Sequence, residues 1–249
     1  MALNVSMGTK MSSLPKWRIK LFQDGAELSA MLSARAQGLV CGFTTNPTLM
    51  RKAGISDYKE FARKAITSIP DLPISFEVFS DDFATMEREA REIAGWGGNT
   101  YVKIPIMDTE GKSSEPLISK LSKEGFSLNV TAILTLDQVR SVADAIDRDS
   151  RTIVSIFAGR IADTGIDPVP LMTSAAELLK PLPKAELLWA SPREVLNVIQ
   201  AETCGCHIIT ATPDIISKIS LLGKDLKQYS LETVKMFHDD ARSAGFKLV

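Results

Sequence analysis

The stretch YVKIP, residues 101–105, reads as a short buried strand with a lysine in its middle. Burying an ammonium ion between Val102 and Ile104 is expensive. Either the strand reading is wrong or the site needs an amine that can lose its proton. Asn99 and Thr100 extend the run to NTYVKIP, and similar runs recur: RIKLFQD (18–24), VCGFTT (40–45), PISFEVF (73–79), FSLNVTA (126–132), TIVSIF (152–157), ELLWA (186–190) and HIITA (207–211). Together they make eight candidate strands.

Segments of helical period separate them. Tyr58, Phe61, Ala62, Ala65 and Ile66 form one apolar stripe, and Phe83, Met86, Ala90 and Ile93 form another. Thr135 to Gln138 and Ser191 to Glu194 fit the capping box, the second with Pro192 at the first helical position. Ser230 is the expected cap of a last helix through Leu231, Val234, Phe237 and Ala241, stopped by Gly245. This alternation predicts a single-domain α/β protein, a (β/α)8 TIM barrel with right-handed crossovers. A doubly wound open sheet is the alternative, but no G-x-G-x-x-G follows any strand, which argues against a dinucleotide-binding version. Residues 18–249 are assigned to the barrel and its C-terminal helix, and residues 1–17 to an N-terminal extension without an assigned role.

Composition narrows the function classes. The 249 residues are 45% hydrophobic, enough for a sizeable core, and the net charge of −1 gives no global field to recruit nucleic acid or an anionic membrane. Anionic ligands must therefore be held by locally placed cations. No run is long enough to span a bilayer, and the acid-free first 23 residues lack the apolar segment of a secretory signal; a transit peptide is the alternative, which their serines fit and their scarcity of arginine opposes. The expected location is cytoplasmic. Cys41, Cys204 and Cys206 cannot all pair within one chain, and the lone C-x-C has no second pair to complete a zinc site, so they read as buried, reduced thiols.

In barrels of this kind chemistry gathers at the C-terminal ends of the strands. Asp24 ends the first run, Thr44 and Asn46 the second, Glu77 the third, and Lys103 stands near the end of the fourth. Asn129 and Thr131 close the fifth, Ser155 and Arg160 the sixth, and Ser191 and Arg193 the seventh. Each alone has a plain structural reading: a helix cap, an ion pair of Lys103 with Asp24 or Glu77, or surface pairs of the arginines with Asp163 and Glu194. Taken together they would share one rim. A lysine among apolar neighbours and near another cation is poised to be a neutral nucleophile toward a carbonyl. Arginines beside a helix opened by Ser191 fit a phosphate clamp.

GFTTNPTL (42–49), YVKIP, LNVTAI (128–133), SIFAGRIAD (155–163) and WASPRE (189–194) occur in the order and approximate spacing of the transaldolases. From Lys20 to the C-terminus the chain resembles that family of Schiff-base enzymes, in its small branch that includes fructose-6-phosphate aldolases. The resemblance implies Lys103 as the Schiff-base lysine, Asp24 as acid and base, and Glu77 with Thr131 as holders of a catalytic water. It further implies Asn46 and Asn129 as ligands of substrate and intermediate, Thr44 and Ser155 as pocket lining, and Arg160, Arg193 and Ser191 as the phosphate site. It implies sugar-phosphate substrates, no metal or organic cofactor, and a homo-oligomer. The aldolases of the small branch carry glutamine where Glu77 stands, which favours transfer over aldol cleavage.

Overall fold

The computed structural model describes residues 17–248, so all but the last residue of the expected N-terminal extension lies outside the described residues. Strands β1 (Lys20–Asp24), β2 (Gly42–Thr44), β3 (Ile74–Glu77), β4 (Thr100–Pro105), β5 (Leu128–Ile133), β6 (Thr152–Ile156), β7 (Ala185–Trp189) and β8 (Ile208–Ala211) each fall within or overlap one of the predicted runs. They pair in sequence order, all parallel, and β8 returns to β1, so the barrel is closed. Closure leaves no edge strand to be capped, and it rules out the open-sheet alternative.

The helices, in order, are α1 (Leu28–Ala36), α2 (Pro47–Lys52), α3 (Tyr58–Ser68), α4 (Phe83–Ala94), α5 (Glu115–Lys123), α6 (Leu136–Ala145), α7 (Ala158–Asp163), α8 (Val169–Leu179), α9 (Leu196–Thr203), α10 (Pro213–Lys218) and α11 (Leu226–Ser243). The predicted stripes are the buried faces of α3 and α4, which carry Phe61, Ala62, Ala65 and Ile66, and Met86, Ala90 and Ile93. Asp57 and Asp82 cap these helices through backbone N–H groups of the first turn. The Thr135–Gln138 capping box on α6 is complete in both directions.

Two predicted caps are not formed. Ser191 does not open a helix: its φ is +57°, outside the extended conformation a cap needs, and α9 begins only at Leu196. The N–H groups of Arg193 and Glu194 are instead both received by Asn197 Oδ1, at 2.7 and 3.1 Å. Ser230 lies inside α11, whose cap is the Asp225 carboxylate, accepting from Gln228 N at 2.8 Å. A carboxylate cap five residues earlier starts the helix before the serine. Gly245, at φ +68°, stands just past the C-cap as expected.

The described residues up to Ile216 make one compact unit and those from Ser217 a second. The second contains a 3-10 turn at Ile219–Leu221 and α11, which has no buried residue. In the first, alternate residues of each strand point into the barrel. Phe22, Tyr101, Ile153, Leu188 and Ile208 form an apolar cluster. Two residues further along β1, β4, β6 and β8 stand Asp24, Lys103, Ser155 and Thr210, while Ala190, just past β7, still belongs to the apolar cluster. The same inward face thus passes from an apolar plug to a polar mouth. Gly42 belongs to this plug, because a Cβ there would lie 2.5 Å from the Phe22 ring.

Candidate active site

The mouth of the barrel holds a cavity of about 540 Å³. Every residue singled out in the sequence lines it: Asp24, Thr44, Asn46, Glu77, Lys103, Asn129, Thr131, Ser155, Arg160, Ser191 and Arg193. Parallel pairing accounts for the centre of this group. Glu77 is in register with Lys103, and Lys103 with Asn129, so three adjacent strands present an acid, an amine and an amide side by side.

Lys103 is 6% exposed, and its Nζ lies 3.1 Å from Glu77 Oε2 and donates to Thr45 O at 3.1 Å. Of the two ion pairs the sequence offered for Lys103, the one with Glu77 is formed, and no second cation is paired with it among the described residues. A buried pair of this kind adds little net stability, since desolvation offsets most of the attraction. Asp24 accepts from Thr44 Oγ1 at 2.7 Å, and Thr44 Oγ1 lies 2.6 Å from Thr210 Oγ1. With the Thr44 proton committed to Asp24, Thr210 is the donor of that second bond. Burial pushes the Asp24 carboxyl above its ordinary 3.8, opposed by the positive charge of Lys103 and the Thr44 hydrogen bond.

Asn129 is fully buried and fixed from both sides: it donates to Ser75 Oγ at 3.0 Å and accepts from Ser155 Oγ at 2.6 Å. These bonds fix its amide orientation. Thr131 Oγ1 is buried with no hydrogen-bond partner among the described residues, although buried hydroxyls are normally satisfied. The β5–β6 register shifts between Val130 and Ile133, and Ala132 within that shift has φ +62°. Such a bulge re-aims its side chains, here at the cavity. Among the described residues only Ala132 and Ser191 combine a side chain with positive φ, and both line the cavity. Backbone strain gathers at functional sites because only a rigid surround can maintain it.

Arg193 is held by Asp163, with Nε to Oδ1 at 2.9 Å, and donates through Nη1 to Ser191 O at 2.9 Å. The expected Asp163 pairing is therefore real, and it draws the Asp163 carboxyl below its usual range. Arg160 lies over the Phe157 ring at 5.2 Å, with no ion pair among the described residues. Because α9 starts beyond Arg193, no helix N-terminus of α9 reinforces these cations. Gly159 makes the close approach possible: a Cβ there would come 1.5 Å from Ser191 O.

The sequence profile described as Transaldolase/Fructose-6-phosphate aldolase matches residues 21–248. The chain belongs to this family. A "Probable transaldolase" of Thermoanaerobacter sp. is 36% identical over 231 residues, 92% of this chain and 100% of the relative. Another "Probable transaldolase", of Caldicellulosiruptor saccharolyticus, is 37% identical over 204 residues, 81% of this chain and 89% of the relative. Among solved structures, KGPDC from Streptococcus mutans superposes with a TM-score of 0.55 at 15% identity, covering 80% of this chain and 90% of that one. That likeness concerns the barrel alone.

Within this transaldolase/aldolase-family barrel, several cavity residues went unpredicted. Lys52, Phe157, Thr210 and Thr212 line it. Ser75 and Tyr58 support it from behind, Tyr58 OH donating to Glu77 O at 3.0 Å. Thr210 could have been found, since it stands at the inward position near the end of β8, as Lys103 does near the end of β4. Lys52 could not, because it lies at the end of α2 and a helical lysine ordinarily faces water.

Proposed function

We propose that the chain is a transaldolase: it moves a dihydroxyacetone unit from a ketose phosphate, sedoheptulose 7-phosphate or fructose 6-phosphate, to an aldose phosphate, as in the pentose phosphate pathway. The observation that carries this reading is the buried Lys103 amine 3.1 Å from Glu77, with the unpartnered Thr131 hydroxyl in the same cavity. An amine, a carboxylate and a free hydroxyl in a closed polar mouth suit carbonyl addition followed by dehydration.

Lys103 gives its ammonium proton to Glu77 and the freed amine adds to the C2 carbonyl; the carbinolamine then loses water as Glu77 and Thr131, through a shared water, relay the protons. The resulting iminium is the electron sink. Asp24 removes the C4 hydroxyl proton, the C3–C4 bond breaks, and its electron pair moves into the enamine while C4 leaves as the aldehyde of an aldose phosphate. Asn129, locked by Ser75 and Ser155, holds a hydroxyl of the bound three-carbon unit, and Asn46 and Thr44 face the same space. Arg160, Arg193 and Ser191 receive the phosphate. A second aldehyde phosphate then enters and the steps reverse. The lysine supplies the electron sink that a cofactor would otherwise provide.

Borohydride added with fructose 6-phosphate should fix a three-carbon adduct on Lys103, located by peptide mass; an unmodified Lys103 overturns the mechanism. Transfer to erythrose 4-phosphate with little free dihydroxyacetone supports the transferase. Stoichiometric release of dihydroxyacetone would instead identify an aldolase, the reading that Glu77 in place of glutamine disfavours.

A further inference from the structure

A second reactive group lies away from the mouth, in the connection from α9 into β8. Helix α9 ends at Thr203 with Cys204 as its C-cap, and the chain turns through Gly205 at φ +82°. Gly205 N donates to Glu202 O at 3.3 Å and Cys206 N to Ala201 O at 3.0 Å, the paired bonds of a Schellman ending. This turn folds the residue after the glycine back over the helix end. The two sulfur atoms consequently face each other at 3.6 Å, and Cys204 Sγ also reaches Ala201 O at 3.4 Å. Glycine in the middle matters, since only a residue at ease with positive φ can bring two side chains so close across one position.

We propose that Cys204 and Cys206 form a reversible dithiol/disulfide couple, a modification site for peroxide-class oxidants. The pair is distinct from the proposed catalytic chemistry, because neither residue lines the cavity and both precede β8 at its N-terminal end. The Cys204 thiolate attacks one oxygen of hydrogen peroxide, the O–O bond breaks, and hydroxide leaves and is protonated to water. Cys204 is now a sulfenic acid. Cys206 then loses its proton, its sulfur attacks Cys204 Sγ, the S–O bond breaks, and the departing hydroxide takes up that proton as a second water. Two thiols have given two electrons and reduced one peroxide.

The order of attack follows from the hydrogen bond between the thiols. With the Cys204 proton given to Ala201 O, Cys206 is the donor between the sulfurs; that bond draws the Cys204 thiol below its ordinary range, while the same bond and burial raise Cys206. Both residues are nearly buried, at 6% and 7% exposure, so a small oxidant suits the site better than a bulky one. Closing the bond requires the sulfurs to move from 3.6 Å to about 2.05 Å. Joined across a single residue they make a small, strained ring, and strained disulfides are readily reduced. The expected couple is therefore labile and regulatory, not a permanent staple.

The test uses the full chain carrying Cys41→Ser: contrary to the sequence expectation Cys41 is exposed, and the substitution removes that thiol from competition. Reduced protein is treated with hydrogen peroxide, denatured in excess N-ethylmaleimide, and digested with trypsin. The peptide spanning 194–218 should emerge unlabelled and two hydrogens lighter, and dithiothreitol before labelling should restore both thiols. With Cys206→Ser the sulfenic acid at Cys204 should be trapped by dimedone; with Cys204→Ser the remaining thiol should react at least tenfold more slowly. Two labelled thiols after peroxide, or oxygen added to each cysteine without loss of two hydrogens, would overturn the proposal. None of these readouts depends on turnover, so they stand apart from the fate of the transaldolase reading.

Discussion

Lys103 resolves the tension in YVKIP through the company it keeps. The strand is real and the lysine buried, but Glu77 and Thr45 O receive its ammonium group, so the fold can carry it. Lys103→Ala should lower turnover on the order of a thousandfold or more and abolish the borohydride adduct. Undiminished turnover refutes the assignment. Asp24 carries the pH dependence. As the base that takes the C4 hydroxyl proton it must be ionised, so the acidic limb of kcat/KM should lie above 3.8, and Thr44→Val, which removes a bond favouring the charged form, should move it higher still. Stability runs the other way. The folded chain holds the Asp24 proton more tightly than the unfolded chain, so stability falls as pH rises from 3.8 through the raised value. Asp24→Asn should accordingly stabilise the protein at neutral pH by about 1 kcal/mol while removing activity. Melting curves at neutral and strongly acidic pH check this, and a gain present at low pH but absent at pH 7 contradicts it.

At the scale of elements, two pieces of irregular backbone shape the mouth. Gly159 in α7 admits the Ser191 carbonyl, and Gly159→Ala would drive a Cβ to 1.5 Å from that oxygen. The α7 segment and the Ser191–Arg193 loop must then separate, at a cost of about 1–3 kcal/mol. The variant should melt lower and show a raised KM for fructose 6-phosphate; wild-type KM in a folded variant would detach this contact from phosphate binding. The β5 bulge behaves differently. Ala132 at φ +62° is strained, so Ala132→Gly should preserve or raise stability by up to about 1 kcal/mol, read from denaturant midpoints. Neither feature was legible in the sequence. An alanine in a strand and a serine before proline carry no local mark of left-handed backbone, and the capping box at Ser191 pointed to a helix that starts later. The packing of the Ser191 carbonyl against Gly159, 32 positions upstream in the chain, is likewise invisible to a local reading.

Across the whole molecule, α11 raises the question of assembly. It has no buried residue, and Leu226, Val234 and Phe237 are among its exposed apolar side chains. A helix of this length is marginal in water without packing for its apolar face, and the homo-oligomer implied by the family resemblance would supply that packing. Sedimentation should give a mass that is a multiple of 27.2 kDa, with Phe237→Glu shifting it toward the single chain; a wild-type monomer refutes the idea. The sequence by itself determined the eight strands, the helical stripes and the residues at the strand ends, because strand and helix periods and the polar ending of each run are local properties of the chain; barrel against open sheet was decided by closure. The closed tertiary structure decided what those residues touch. It placed Glu77 on Lys103, Thr44 and Thr210 behind Asp24, Asp163 on Arg193, and left the Thr131 hydroxyl unpaired. Those relations join residues far apart in the chain, and only barrel closure and strand register fix which side chains meet.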